Sequence, residues 1–179
     1  MKNLVIILVF AVICQSCDKN DFNLKNPDVR QFVEQLKDGS YDEFEITENG
    51  ERLWAIMPDF QKKDVMLLIN LAENTDLITP CDHFPVNPIS SIPPYRFNNG
   101  KESIMIGEYL LWCVESIISD RDFASLTPVL VDVKSNPDDR LTGEEVLAVR
   151  IIYQDWWDKY GRLKNPEHLP LEGTGYRWR

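Results

Sequence analysis

A mainly α fold is what this sequence predicts: about four helices in a HEAT-like or irregular α–α layer, with one small β-hairpin and long ordered loops. Three observations carry that expectation. Apolar residues recur at i, i+3, i+4 and i+7 in several separate stretches, the spacing of a helix that buries one face. Capping and stop signals bracket those stretches. A single Asn-Gly pair, Asn49-Gly50, sits between short runs of alternating character and marks the hairpin. The connections are long, which favours an open layer over a tight four-helix bundle. No segment recurs at a fixed period.

The chain opens with Lys2 and an unbroken apolar run from Leu4 to Cys14, followed by Gln15-Ser16-Cys17. A positive start, a short apolar stretch and a small residue before the cut form a secretory signal. A cysteine directly after that small residue makes a lipobox, its thiol carrying diacylglycerol. The run is too short to cross the roughly 30 Å hydrocarbon layer, which takes about 20 residues. Residues 1–16 are therefore expected to be a signal peptide, with Cys17 the lipid attachment. Residues 17–25, with Asp18-Lys19-Asn20-Asp21, read as a solvated tether. A plain secreted chain cleaved nearby, with Cys17 free or disulfide-bonded, is the alternative. Residues 26–179 are expected to form a single mostly helical domain.

Asn26-Pro27 places a capping side chain before a proline at the first helical position. Val29, Phe32, Val33 and Leu36 follow as one stripe, and Gly39 closes the helix. Residues 41–57 hold the hairpin. The second helix is expected from about Gln61 to Asn74 on Val65, Leu68, Ile69 and Ala72. From Thr79 to Asn99 five prolines make a long loop, with Phe84, Ile89, Ile92 and Tyr95 packing it on the domain. The third helix, about Glu102 to Ser119, is apolar nearly all round and belongs at the centre. Gly107 within it permits close approach of a neighbour. A second irregular segment, Phe123 to Asn136, holds a short helical turn around Leu126-Thr127-Pro128. Thr142 and Glu145 form a capping box for the last helix, Leu141 and Val146 its hydrophobic staple, and Gly161 its end. From Leu163 on the chain reads as a surface strap or a loose end.

Net charge is −10, and −11 once Lys2 leaves with the signal. That balance argues against nucleic acid and against anionic lipid head groups, both of which need basic patches. Of the four cysteines, Cys81 and Cys113 remain after processing. The export compartment permits a bridge, but Cys113 in the most apolar helix reads better as a buried hydrophobe. No CxxC spacing exists, and two distant histidines make no zinc site. No cofactor is implied.

The lipobox around Cys17, the Asn26-Pro27 helix start, Met57-Pro58-Asp59-Phe60, Phe84-Pro85-Val86-Asn87-Pro88-Ile89-Ser90-Ser91 and Tyr153-Gln154-Asp155-Trp156-Trp157 together resemble a family of small uncharacterised Bacteroides-type lipoproteins. The resemblance covers nearly the whole chain and implies anchoring to the membrane through an N-terminal lipid, at the outer membrane of the cell envelope. The acidic stretch after Cys17 resembles a surface-export signal of such lipoproteins, which implies the outer face. No catalytic residue is carried over.

Among residues that could do chemistry, Glu108 and Glu115 lie seven apart on one face of the central helix. Two turns give roughly 10 Å of rise, the far edge of the window for a glycosidase carboxylate pair. The plainer reading is a polar strip bonded to basic partners such as Arg96 or Arg150. Cys81-Asp82-His83 is a poor nucleophile system, since adjacent residues rarely aim at one another, and Ser90-Ser91 lacks nucleophile-elbow glycines. His168 is expected to be solvated. Of five tryptophans, Trp112 and Trp156 fall on apolar helix faces. Trp157 points about 100° away from Trp156, and Trp178 sits in the tail, so these two are candidates for a contact surface. The leading expectation is a non-enzymatic interaction module for an unidentified envelope protein. Its rival is a carbohydrate-binding or glycan-processing accessory lipoprotein. An exposed tryptophan lining a groove with carboxylates would favour the rival; a flat apolar patch would favour the first.

Overall fold

The structure, a computed structural model, describes residues 22–78, 83–89, 96–97, 101–135, 139–163 and 166–179. Along the chain run α1 (Val29–Asp38), β1 (Phe44–Ile46), β2 (Arg52–Ala55), a 3-10 turn (Lys62–Asp64) and α2 (Val65–Leu71). Then come β3 (Leu77–Ile78), β4 (Arg96–Phe97), β5 (Lys101–Glu102), β6 (Ile104–Met105), α3 (Ile106–Ile118), β7 (Leu130–Asp132), α4 (Gly143–Tyr160) and β8 (Tyr176–Trp178). Among the described residues the strands form four antiparallel pairs: β1–β2, β3–β6, β4–β5 and β7–β8. The protein is thus a mixed α/β fold. The expected mainly α, HEAT-like layer is not what forms. Its error lies in segments read as loops or as the start of the third helix, whose strands of two or three residues are too short to display an alternating pattern.

The first helix keeps its predicted stripe, with Val29, Phe32, Val33 and Leu36 buried, and Gly39 closes it at φ 75°. The cap differs from the expectation. Asp28, not Asn26, caps the helix, accepting from the Arg30 and Gln31 amides at 2.8 and 3.1 Å. Asn26 instead accepts from Lys63 Nζ at 2.6 Å. The hairpin forms around Asn49-Gly50, with Phe44 opposite Ala55 and Gly50 at φ 82°.

The second helix is shorter than its apolar stripe suggested, because the chain after Leu71 turns to meet α3. The Gly107 amide donates to Asn74 O at 2.7 Å and the Ile106 amide to Asp76 O at 3.2 Å. Ile104 and Met105, expected in the third helix, pair instead with Ile78 and Leu77. Gly107 does permit close approach: a Cβ there would lie 2.3 Å from the Ala72 carbonyl oxygen. Gly107→Ala is accordingly expected to cost about 1–3 kcal/mol despite alanine's better helix propensity. Chemical denaturation checks this, and an unchanged midpoint would mean that the α2 end yields freely.

Helix α3 is the centre of the molecule, buried at every position from Ile106 to Ser116, and α2 and α4 pack on it. One hydrophobic core runs from Phe22 to Leu171. Phe84 is buried against Tyr109, ring centroids 4.9 Å apart, and the Tyr109 hydroxyl donates to Pro85 O at 2.6 Å. Ile89, expected to pack, is exposed; Ile92 and Tyr95 lie outside the described residues. Cys113 is a buried free thiol, its pKa pushed up by burial, and Cys81 lies outside the described residues. The segment around Leu126 forms bends, not the expected helical turn, and leads into β7. The capping box of α4 forms as predicted, Thr142 Oγ1 accepting from the Glu145 amide. No helix among the described residues is long and apolar enough to cross a membrane.

The tail is neither strap nor loose end. Its β8 pairs with β7, Leu130 opposite Trp178, and the Arg179 amide donates to Val129 O at 3.0 Å.

Candidate functional site

Three segments that meet at the C-terminal ends of α3 and α4 leave an open cleft of about 1100 Å³. One wall is Trp54 through Lys62, leaving β2 and entering the 3-10 turn. Pro58 and the capping pair Gln61–Asp64 fix its path, the Gln61 amide donating to Asp64 Oδ2 at 2.8 Å. A second wall is the end of α3 and its exit turn, Ser116 to Phe123. The third is the last turn of α4, with Trp156, Trp157 and Tyr160, closed by Leu163, Pro166 and Leu169.

Aromatic side chains from all three segments line the cleft. Trp54 is 44% exposed on the hairpin. Trp156 is buried and donates through Nε1 to His168 O at 2.8 Å, which pins the tail to α4. Trp157, one residue on, is half-buried at the cleft and carries the Lys62 ammonium 6.0 Å above its ring. Glu45, Asp59, Asp120 and Asp122 also line the cleft, together with Lys62 and Arg121. Asp120 has φ 53°, the left-handed region that L-residues other than glycine seldom enter.

The other predicted site residues go elsewhere. Glu108 and Glu115 form no solvent-facing pair. Glu108 is wholly buried and ion-paired with Arg140, and its Oε1 accepts from the Leu130 amide at 2.9 Å. Burial pushes its pKa up, with Arg140 and the Leu130 amide offsetting part of that. Glu115 is 5% exposed and accepts from the Tyr153 hydroxyl at 2.6 Å. Of the two expected bases, Arg150 Nε donates to Ile69 O at 2.8 Å, and the Arg96 side chain lies outside the described residues. Trp178 is half-buried against the core, and its Nε1 donates to the Tyr153 hydroxyl at 2.9 Å. His83 Nε2 donates to Leu36 O at 2.9 Å. Asp82, Ser90, Ser91 and Cys17 lie outside the described residues. His168 is mostly exposed, 3.0 Å from Glu172. Among the described residues no group of His, Cys, Asp and Glu could hold a metal ion.

Burial is the largest influence on Glu115 and raises its pKa above the ordinary 4.5, partly offset by the Tyr153 hydroxyl and Arg121. The native state then holds this proton more tightly than the unfolded chain. Stability from this group is full below pH 4.5 and is lost as pH rises through the folded pKa. Glu115→Gln is expected to flatten the fall of Tm with rising pH over that window. Equal slopes in the variant and the parent would overturn the assignment.

Trp157 was legible as a face turned away from the core stripe. Trp54, Asp59, Asp120 and Asp122 were not picked out, because the cleft joins segments far apart in the chain. The one local signal was Asp120, standing where a helix ends without a glycine. Neither a curated protein nor a solved structure matches the chain. A family model described as a domain of unknown function (DUF4943) matches residues 23–179, and the chain belongs to that family.

Proposed function

We propose that this protein is a lipid-anchored binding protein of the outer membrane that holds a saccharide in the cleft beside Trp157. The observation that carries the reading is Trp157 itself, half-buried in a groove with Trp54 and four carboxylates. An indole face offers a flat apolar platform to the C–H face of a sugar ring, while carboxylates accept from the hydroxyls around it. A concave site with a few convergent polar groups is the usual form of a small-ligand site. Anchoring rests on the lipobox pattern at Cys17, with lipid joining that thiol. A catalytic role for Glu108 and Glu115 finds no support, since both are buried with partners of their own.

Titration of the full chain with neutral oligosaccharides, followed by tryptophan fluorescence, tests the binding reading. Trp54→Ala, on an exposed hairpin position, is expected to weaken binding about tenfold without lowering Tm. Unchanged affinity would exclude the cleft. Protease shaving of intact cells, with Cys17→Ala as control, tests the anchor and its face. A protein partner is the second reading, and Leu147 and Ile151 favour it, being exposed one turn apart on α4.

A further inference from the structure

We infer that the short lead from Cys17 holds the cleft at the bilayer surface, and that the sugar it takes is the headgroup of a lipid in that membrane. The inference rests on the anchored, saccharide-binding reading above and adds to it what bears the sugar. The described chain begins at Phe22, five residues after Cys17. Five residues span at most roughly 18 Å when fully extended. A domain of this length is about 40 Å across. The point where the chain enters the domain therefore lies close to the lipid layer, and the opposite side of the domain is turned away from it.

That entry point is joined to the first wall of the cleft. Phe22 is buried, its ring 6.0 Å from Phe32 and 5.5 Å from Tyr41. Phe32 in turn packs on Phe60, ring centroids 5.2 Å apart. Leu24 O accepts from the Asp59 amide at 2.8 Å, and Asn26 Oδ1 accepts from Lys63 Nζ at 2.6 Å. Asp59, Phe60 and Lys62 line the cleft. Leu24, seven residues from Cys17, can stand no more than roughly 25 Å from it, and Asp59 is one hydrogen bond further. The hairpin shares this corner, because the Tyr41 hydroxyl donates to Ile56 O and the Ile56 amide to Glu43 O. It leaves Ile46, Leu53 and Trp54 exposed, side chains that the boundary between head groups and hydrocarbon accommodates. Between Asp42 and Arg52 stand five carboxylates and one guanidinium, a balance that suits a zwitterionic surface better than an anionic one. A cleft so placed meets sugars displayed on the membrane at high effective concentration.

The test places the lipidated full chain on phosphatidylcholine vesicles whose head groups carry a dansyl acceptor for tryptophan fluorescence. Flotation with the vesicles, lost in Cys17→Ala, reports the anchor; a parent that does not float overturns the anchored reading and the inference with it. A Gly-Ser spacer of about 20 residues, inserted after Asn20, lengthens the lead without touching the domain. Energy transfer to the head groups is expected to fall about twofold with the spacer, and transfer unchanged by it would overturn the membrane-held cleft. Lactosyl, maltosyl and cellobiosyl groups are then offered free in solution and as diacylglycerol glycosides in vesicles without dansyl, with occupancy read from tryptophan emission. Parent and spacer variant are expected to answer the free sugars alike. For at least one lipid-borne sugar the spacer variant is expected to need about fivefold more in the surface for the same occupancy. Equal demand in the two chains, or binding of free sugar alone, would overturn the lipid-borne ligand while leaving saccharide binding in place. If no sugar binds in either form, the saccharide reading fails, and the ligand assigned here fails with it.

Discussion

Arg140→Met is expected to lower folding stability by about 3–5 kcal/mol, roughly a 10 °C fall in Tm or more for a chain of this size. Arg140 lies just before α4 and reaches back to α3, donating to Ser103 O and to Glu108 Oε2. Its side chain is 11% exposed and that of Glu108 is 0% exposed. With the guanidinium gone, the carboxylate keeps the Leu130 amide as a donor but has no opposite charge. It must either stay ionised in an apolar interior or take up a proton to remain there. The second route raises its folded pKa still further, so the deficit grows as pH rises above the ordinary 4.5. Adding Glu108→Gln to Arg140→Met is expected to recover about half of the loss. The amide still accepts from Leu130 and carries no charge, and the extra pH dependence disappears with it. Thermal melts of the two variants across pH give the measurement. A double variant no more stable than the single one would show that the guanidinium acts through packing rather than charge.

Tyr153→Phe is expected to cost about 2–4 kcal/mol, because one hydroxyl serves a buried carboxylate and a half-buried indole. It donates to Glu115 Oε2 at 2.6 Å and accepts from Trp178 Nε1 at 2.9 Å. Its removal leaves a buried carboxylate oxygen and a half-buried indole N–H, and joins nothing in their place. The variant is also expected to release β8, so amide exchange at Tyr176, Arg177 and Trp178 should speed up more than exchange in α3. Exchange rising uniformly throughout the molecule would mean global destabilisation, with no particular tie between α4 and the tail.

Legibility followed the range of the interactions. The α1 stripe, the hairpin turn at Asn49-Gly50 and the Thr142–Glu145 box are settled within one or two turns of chain, and the sequence displays them directly. The α3 centre was equally plain, because a helix without a polar face has nowhere else to go. The short strands were hidden. Leu77-Ile78 reads as a loop until Ile104-Met105 lies beside it, and Leu130–Asp132 gains its meaning only from Tyr176–Trp178. These two pairs draw on distant partners, and the third missed pair, Arg96–Phe97 with Lys101–Glu102, is only two residues long, so a mixed fold looked mainly helical. The site divided in the same way. Trp157 could be seen from its angle to Trp156. Trp178 could not be placed, since its partner Tyr153 lies 25 residues earlier. The carboxylates of the cleft come from the hairpin, the exit of β2 and the exit of α3, and no spacing rule connects them.

The late position of β8 bears on the order in which the chain can mature. Residues 176–179 cover Val129, Leu130 and Tyr153, so during synthesis β7 and the inner face of α4 wait some 45 residues for the strand that completes them.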